Sequence, residues 1–413
     1  MLLSNRMSGV TLIAFGLCWS QCLIAQEMQV GYSDAVTMTS LTNGLYQRHP
    51  ARLNETAQQE QVDANAKLAD SFFADVASIK LRHQNDFIGS NDGLQEWEGN
   101  VEMPLWLSGQ KQQQLVLSET MSAELPIYQQ QVRLQASSMA RELVWHVVQA
   151  DVGKKQAYQT WQSALKLTQD VMSRVAAGDL AKTEQLLSRS HSLEMQNEYL
   201  LAEAELEYTL KIYQHLTGET ALPRRHIEPL STQLELTQQH PQLQLYDYRI
   251  STLRAQQGLA RFDGATNSSL SIGMRSEREV SSDDYVNSVG VDFSFALDDT
   301  TYRQPMVTAA TRALADTEVE RQQLNRDLKI HLVAQQHALE TMRKQLHVLI
   351  EKNSVTQQYL ALQQHAFDLG EIDLVGLLRS QIIASKTQSR KQMLEVNINY
   401  MIANVNQALG VIL

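Results

Sequence analysis

The stretch Leu369-Gly-Glu-Ile-Asp-Leu374 interrupts the longest helical pattern of the chain and decides its fold. Before it, one stripe of residues recurs at alternating steps of three and four, as on one face of an α-helix: Leu339, Met342, Leu346, Leu349, Asn353, Thr356, Leu360, Gln363 and Phe367. A second stripe lies beside the first: Val348, Val355, Tyr359, Leu362, Ala366 and Leu369. Neither Gly nor Pro occurs between Pro305 and Gly370. We therefore predict two long helices, about Tyr302–Leu369 and about Glu371–Leu409, that pack on two flanks.

The same plan occurs twice in the chain. Gly178 begins Gly-Asp-Leu-Ala, and Gly370 begins Gly-Glu-Ile-Asp 192 positions later. Three further pairs have the same offset: Leu216-Thr-Gly218 with Ala408-Leu-Gly410, Val101–Leu105 with Phe293–Leu297, and Ser78–Leu81 with Leu270–Gly273. The earlier pair Pro50 and Pro241 differs by 191, so one residue is gained or lost before the strands. These landmarks indicate a duplicated unit, with a period far longer than that of solenoid repeats.

The repeat divides the chain into segments. We predict a signal peptide at 1–25, a first structural repeat at 26–218, a linker at 219–240 and a second repeat at 241–413. Each repeat contains a short helix, a β-hairpin (about 76–107 and about 268–298) and a long helical hairpin (109–217 and 302–409). The arms of the first helical hairpin are about Gln110–Ala177 and Asp179–Thr217, and Pro126 predicts a kink or a late start there.

The first 25 residues have the composition of a targeting segment. Arg6 is their only charge, and the apolar run Gly9–Trp19 is too short to cross a bilayer as a helix. A retained anchor is the alternative interpretation. Both cysteines, Cys18 and Cys22, lie in this segment, so its removal would leave a chain with neither disulfides nor thiolate metal sites.

Net charge argues against a nucleic-acid partner. The chain has 35 basic and 46 acidic residues, a formal net charge of −11, so it has no basic surplus for phosphates. After residue 25 no apolar run reaches about 18 residues, which argues against a membrane-spanning helix. Entry into a membrane would therefore require a closed β-barrel.

Four stretches alternate with period two. Val101, Met103, Val291, Phe293 and Phe295 are predicted to face lipid, whereas Glu102, Asp292 and Ser294 are predicted to face water. One apolar and one polar face over about ten residues is typical of outer-membrane barrel strands. Because four strands cannot close such a barrel, several protomers would be needed. A soluble four-stranded sheet with one wet face is the alternative.

The order of these parts resembles the TolC-type outer-membrane efflux family. The resemblance covers nearly all of the mature chain and is strongest at Phe367-Asp-Leu-Gly-Glu-Ile-Asp-Leu-Val-Gly-Leu-Leu-Arg-Ser-Gln381. This segment is similar to the second helical turn of family members that work with resistance-nodulation-division pumps. The order of parts, rather than any single motif, carries the resemblance.

The resemblance implies a mainly α-helical fold with a small β part. Long helical hairpins would form a periplasmic helical barrel, and four strands per protomer would contribute to the transmembrane β-barrel of a homotrimer in outer-membrane lipid. A periplasmic adaptor and an inner-membrane pump would deliver the substrate. The gate and adaptor contact would lie at the two turns: Gly178, Asp179, Leu180, Gly370, Glu371, Ile372 and Asp373. Family members often narrow the closed end with aspartates beyond the second glycine. The comparable positions in this chain are Gly376 and Arg379, so Glu371 and Asp373 are the candidates for negative charge instead.

No catalytic, cofactor or metal site is predicted. The eleven histidines are scattered, and His331 and His337 are six residues apart, which does not place them on one helix face. We therefore predict a passive exit duct rather than an enzyme. A secreted structural coiled coil, such as a stalk, is the main alternative, and a periplasmic adaptor is a weaker one. The acids Asp179 and Glu371 have two open interpretations, as helix-start residues or as ion-selecting residues.

Overall fold

The structure, a computed structural model, describes residues 30–263, 267–295 and 300–413. The predicted signal peptide lies outside the described residues. The helices are α1 (Met38–Arg48), α2 (Arg52–Asp70), α3 (Gln110–Ala177), α4 (Lys182–Thr217), α5 (Pro241–Leu259), α6 (Thr300–Asp368) and α7 (Leu374–Ala408). The strands are β1 (Tyr32–Ser33), β2 (Ser78–Asn85), β3 (Gln95–Pro104), β4 (Leu222–Pro223), β5 (Ser269–Arg278) and β6 (Val286–Ser294).

Two helices dominate the fold. α3 has 68 residues and α6 has 69, so each is about 100 Å long at about 1.5 Å per residue. Pro126 lies inside α3, which begins at Gln110, so the late start is wrong and the kink stays a prediction. None of the helices in the described ranges is long and apolar enough to cross a membrane.

The four long helices lie side by side in the order α4, α3, α7, α6. α3 packs against α4 and α7, and α7 packs against α6. The buried stripe of α6 is the first stripe predicted from the sequence, since Leu339, Thr356 and Phe367 are all buried. α4 and α6 are therefore the edge helices of this layer, and within the described residues each packs mainly against one other long helix.

The two β-hairpins form one antiparallel sheet in the order β2, β3, β5, β6. β3 and β5 pair across the two halves of the chain, with Val101 opposite Ile272. β2 and β6 are the edges of the sheet. The sheet, like the helical layer, thus ends in two free edges.

The strand register corrects one part of the predicted repeat. Ile79 pairs with Val101, and Leu270 pairs with Phe293. Val101 and Phe293 are 192 positions apart as predicted, but Ile79 and Leu270 are 191 apart. At an offset of 192, apolar Ile79 would correspond to polar Ser271 instead of Leu270. The two residues would then lie on opposite faces of the sheet, because a shift of one residue moves a strand's side chains to the other face. Under the predicted repeat, the extra residue therefore lies in the second β-hairpin, not before the strands.

The segment before α2 contains a helix, α1, that was not predicted from the sequence. α1 begins with a capping box, in which Ser40 N donates to Thr37 Oγ1 and Thr37 N donates to Ser40 Oγ. Its Leu41 and Leu45 are buried in the main core beside Trp145 of α3. The short helices α1, α2 and α5 all pack against α3, and so they brace its half next to the sheet.

The linker between the two halves is fixed to the helices by a buried ion pair. Arg141 of α3 is 1% exposed, and its Nε and Nη2 donate to the two carboxylate oxygens of Glu228, each at 2.8 Å. Asn406 of α7 donates to Pro229 O at 2.9 Å. In addition, β4 of the linker pairs in parallel with β1. The linker therefore ties α3 to the C-terminal end of α7.

Candidate functional site

The two helical hairpins turn through the same backbone geometry. Gly178 follows α3 with φ +87°, and Gly370 follows α6 with φ +75°, both in the left-handed region that glycine adopts without steric cost. In each turn the next residue closes the helix, since Asp179 N donates to Arg174 O at 2.9 Å and Glu371 N donates to Ala366 O at 2.8 Å. This is the Schellman pattern of a helix end. The predicted turns at both glycines are confirmed.

The returning helices begin three residues later than predicted. α4 begins at Lys182 and α7 at Leu374, rather than at Asp179 and Glu371. Asp373 is the N-cap of α7, and its Oδ1 accepts a hydrogen bond from Gly376 N at 2.9 Å. Asp179 and Glu371 instead lie in the turns with exposed side chains. The interpretation as helix-start residues is therefore wrong for these two acids and applies to Asp373.

An apolar cluster joins the two turns. Its buried members come from both hairpins: Leu167 and Val171 of α3, Phe367 of α6, and Leu374, Leu377 and Leu378 of α7. Leu180 and Ile372, the predicted turn residues, both pack against this cluster. The structure therefore brings the two predicted turns together at one end of the helical layer.

Arg174 crosses between the hairpins at this end. Its Nη2 lies 2.7 Å from Asp368 Oδ1, and its Nε lies 3.1 Å from Asp170 Oδ2. Its guanidinium also lies over the Phe367 ring, 4.9 Å from the centroid. Arg174 and Asp368 were not predicted from the sequence, although they lie four and two residues before the predicted glycines. Their pairing depends on the packing of α3 against α6 and α7, which no local pattern records.

A polar groove lies over the line where the hairpins meet. It has a volume of about 750 Å³ and is lined by residues of α3, α4, α6 and α7. Thr160 Oγ1 and Ser385 Oγ lie 2.7 Å apart there, and Gln156 Nε2 donates to Ser389 O at 3.3 Å. Burial lowers the pKa of His191 at its rim. The contact between α3 and α7 is therefore polar above the apolar cluster.

One face of the sheet is apolar and exposed. The paired rows Ile79–Val101–Ile272–Val291 and Met103–Leu270–Phe293 run across the strands on this face. Phe293 is 58% exposed and Val291 is 67% exposed. Phe295 follows β6 and is also exposed, with its ring 5.9 Å from that of Phe293. The predicted lipid-facing residues of the strands thus share one face.

The opposite face of the sheet is polar and charged. Glu102 forms an ion pair with Lys80 of the neighbouring strand, and Arg275 lies 3.2 Å from Glu96. Asp292 lies in the same cross-strand row as Glu102, and both belong to the set predicted to face water. The sheet therefore separates an apolar from a charged surface, and none of its residues belongs to a hydrophobic core cluster of the described residues.

The edge helices also expose apolar stripes. On α4 the exposed leucines Leu186, Leu193 and Leu200 recur every seven residues. Along α6 and at the first residue after it, four members of the second predicted stripe are exposed, again every seven residues: Val348, Val355, Leu362 and Leu369. Each exposed stripe lies to one side of the face that packs within the chain. Heptad spacing is the pattern by which one long helix packs against another.

Metal binding receives no support from the described part of the chain, where no group of three His, Cys, Asp or Glu residues could hold an ion. The candidate site instead consists of the two glycine turns, the apolar cluster between them and the Arg174–Asp368 ion pair.

The comparisons with known proteins agree on the fold. No protein-family model matches the chain, and no curated protein sequence matches it. Among solved structures, the outer-membrane protein VceC from Vibrio cholerae matches with a TM-score of 0.72 at 13% identity, over 90% of this chain and 96% of VceC. The CmeC outer-membrane channel of Campylobacter jejuni matches with a TM-score of 0.67 at 15% identity, over 98% of this chain and 94% of CmeC.

A third similar structure is the open state of the MtrE outer-membrane channel of Neisseria gonorrhoeae. It has a TM-score of 0.60 at 15% identity, over 90% of this chain and 88% of MtrE. The fold of this chain is therefore that of outer-membrane channels. The predicted mainly α-helical fold with a small β part is confirmed, and so is the resemblance to the TolC-type efflux proteins at the level of fold.

Proposed function

We propose that this protein is the outer-membrane exit duct of a tripartite efflux or export system. As a homotrimer it would conduct substrate passively from an inner-membrane pump, through a periplasmic adaptor, to the outside of the cell. The observation that carries this proposal is the set of free edges in a fold shared with outer-membrane channels. Both the four-helix layer and the four-stranded sheet end in edges that one chain cannot cover.

The helical edges support assembly with copies of the same chain. α4 runs away from the turns and α6 runs toward them, so α4 of one protomer and α6 of the next would meet antiparallel. Their exposed stripes, Leu186–Leu200 and Val348–Leu369, cover comparable lengths measured from the turns and share heptad spacing. Because the two edges differ, each protomer offers both halves of a contact that closes into a ring.

The sheet supports insertion into the outer membrane. Its exposed apolar face has no other layer to pack against within the described residues, and its other face is charged. A barrel of three such sheets would have twelve strands, with lipid outside and water inside. The long helices would then extend into the periplasm, in a Gram-negative type of envelope.

The turns support a role as the inner mouth and the adaptor contact. Gly178, Asp179 and Leu180 lie at one end of the layer with Gly370, Glu371 and Ile372, far from the sheet along helices about 100 Å long. The Arg174–Asp368 pair would hold the two hairpins together in the closed mouth. Asp179 and Glu371 would add exposed negative charge at the opening.

A conductance measurement tests the proposed duct. Protein purified in detergent is added to a planar lipid bilayer, and current is recorded across it. The proposal expects discrete and lasting conductance steps. A secreted structural coiled coil, the alternative function, would give no steps and would be recovered outside the membrane fraction. This alternative gives no function to the exposed apolar face of the sheet.

A further inference from the structure

We propose that three copies of this chain close their sheets in one register, in which Phe293 of one protomer lies opposite Leu81 of the next and Asp292 lies opposite Arg82. The inference rests on the proposed trimer and deepens it, because it names the residues that meet between protomers. It is built from the strand pairing within one chain and from the internal repeat.

The repeat relates the two β-hairpins by fixed offsets. Ile79 of β2 pairs with Val101 of β3, and Leu270 of β5 pairs with Phe293 of β6. The first strands of the two hairpins, β2 and β5, thus correspond at an offset of 191 residues. Their second strands, β3 and β6, correspond at an offset of 192 residues. The same offsets occur on either side, 191 at Pro50 and Pro241 before the hairpins and 192 at the two glycine turns after them.

Closure of the barrel repeats a contact that is already present. β3 and β5 join the second strand of the first hairpin to the first strand of the second hairpin. Between protomers, β6 and the next β2 would again join the second strand of one hairpin to the first strand of another. β2 runs parallel to β5, so this contact is antiparallel in both places. Equivalent contacts between equivalent strands have equivalent registers.

The observed register can therefore be transferred. Val101 lies opposite Ile272, and adding 192 to the first position while subtracting 191 from the second gives Phe293 and Leu81. Asn100 lies opposite Gly273, and the same shift gives Asp292 and Arg82.

The residues brought together are chemically compatible. Phe293 and Leu81 belong to the apolar face, and both are exposed in the single chain. On the polar face, Arg82 has a side chain 63% exposed and reaches Glu98 only at 4.0 Å. Asp292 is exposed and forms no ion pair within the described part of the chain. Opposite charges directly across two strands stabilise their pairing, whereas like charges destabilise it.

Disulfide trapping tests the register. All variants are made in a parent protein in which Ser replaces Cys18 and Cys22, the two cysteines of the sequence. Phe293→Cys is then combined with Leu81→Cys, since directly opposite residues are close enough for a disulfide. The matched controls combine Phe293→Cys with Ile79→Cys or with His83→Cys, two residues away on the same face. Each variant is extracted from outer membranes, and covalent dimers and trimers are quantified on non-reducing gels.

The proposal expects cross-linking with Leu81→Cys at least ten times above both controls. Stronger cross-linking in either control, within a protein that still has the mass of a trimer, overturns the register and leaves the proposed channel intact. A parent protein with the mass of one chain overturns the proposed trimer itself.

A charge exchange provides a second test that needs no disulfide. Asp292→Arg places a cation opposite Arg82, and we expect the yield of trimer to fall several-fold. Adding Arg82→Asp restores the opposite charges and should restore most of the yield. Lys80→Asp, two residues from Arg82 on the same strand face, is the matched control and should restore less. Equal recovery with both, or recovery with neither, contradicts the proposed pairing.

Discussion

Arg174 Nη2 lies 2.7 Å from Asp368 Oδ1, and this ion pair joins the α3–α4 hairpin to the α6–α7 hairpin beside both glycine turns. Both side chains are partly exposed, at 26% and 46%, so water screens their attraction. Exposed ion pairs contribute roughly 0.2–1 kcal/mol. In the proposed channel, a contact of this strength would bias the mouth toward a closed state and could still be released when a partner binds.

The first prediction concerns this pair. Asp368→Asn keeps the size of the side chain but removes its charge, and we expect the fraction of time spent conducting to rise by up to about five-fold, the equivalent of about 1 kcal/mol. Single-channel recording measures this fraction. Glu340→Gln removes the charge of a Glu340–Lys344 pair that lies within α6 alone, and it should leave conduction unchanged. Equal effects of both substitutions would show that the position of the Arg174 pair is irrelevant.

The second prediction separates the acids of the second turn. Asp373 Oδ1 caps α7, so Asp373→Ala should lower the free energy of unfolding by about 1 kcal/mol, measured by urea denaturation. Glu371 lies in the turn with an exposed side chain, so Glu371→Gln should leave stability unchanged. It should instead reduce the preference for cations in bilayer recordings, because three copies would lie near one axis. An unchanged preference for cations would show that Glu371 does not line the mouth of the channel.

The third prediction is a pH dependence of stability at His240. Burial lowers the pKa of His240 from 6.5 to about 4, and the side chain is 2% exposed. Its Nδ1 accepts a hydrogen bond from Gln242 N at 3.3 Å and caps α5, which requires the neutral ring. The ring also abuts Gly410 at the end of α7, where an added Cβ would lie 2.7 Å from Cδ2.

The sign of this dependence follows from the lowered pKa. Above pH 6.5 the ring is neutral in both the folded and the unfolded state, so its full contribution to stability is present. Between pH 6.5 and about 4 the unfolded state takes up the proton first, and up to about 3 kcal/mol of stability is lost. His240→Asn keeps a capping side chain that does not titrate. Urea denaturation at pH 7, 6 and 5 should therefore show a steeper loss for the wild type than for this variant. Equal losses of stability in the wild type and in His240→Asn would contradict the lowered pKa of His240.

The fourth prediction compares neighbouring residues on the two faces of β6. Phe293→Arg places a cation on the exposed apolar face, at a cost of about 2–4 kcal/mol if that face meets lipid near the midplane. Ser294→Arg places the same charge on the polar face and should be tolerated. The measurement is the amount of assembled protein in purified outer membranes. Equal amounts of the two variants would mean that the apolar face does not meet lipid.

The elements whose signals are local can be predicted from the sequence. Gly178 and Gly370 were identified because a reversal between long helices favours a residue that accepts positive φ. The alternation of Val101 and Met103 with Glu102 was sufficient to assign the faces of β3. Both of these signals can be read within about ten residues.

The features that were missed depend on contacts between distant segments. The exposed stripe Leu186–Leu200 on α4 is apolar like a core stripe, and only the packing order shows that none of the described residues covers it. The one-residue difference between Ile79 and Leu270 became visible only in the strand register. α1 was missed because its polar composition hid the spacing of Leu41 and Leu45, which are buried through contacts with α3.

The mass of the assembly tests the central claim most directly. Protein extracted in detergent from purified outer membranes is analysed by light scattering with correction for bound detergent. The account predicts a particle with three times the mass of the mature chain, recovered with the outer-membrane fraction. A particle with the mass of one chain, or recovery of the protein in the periplasmic fraction, would contradict it.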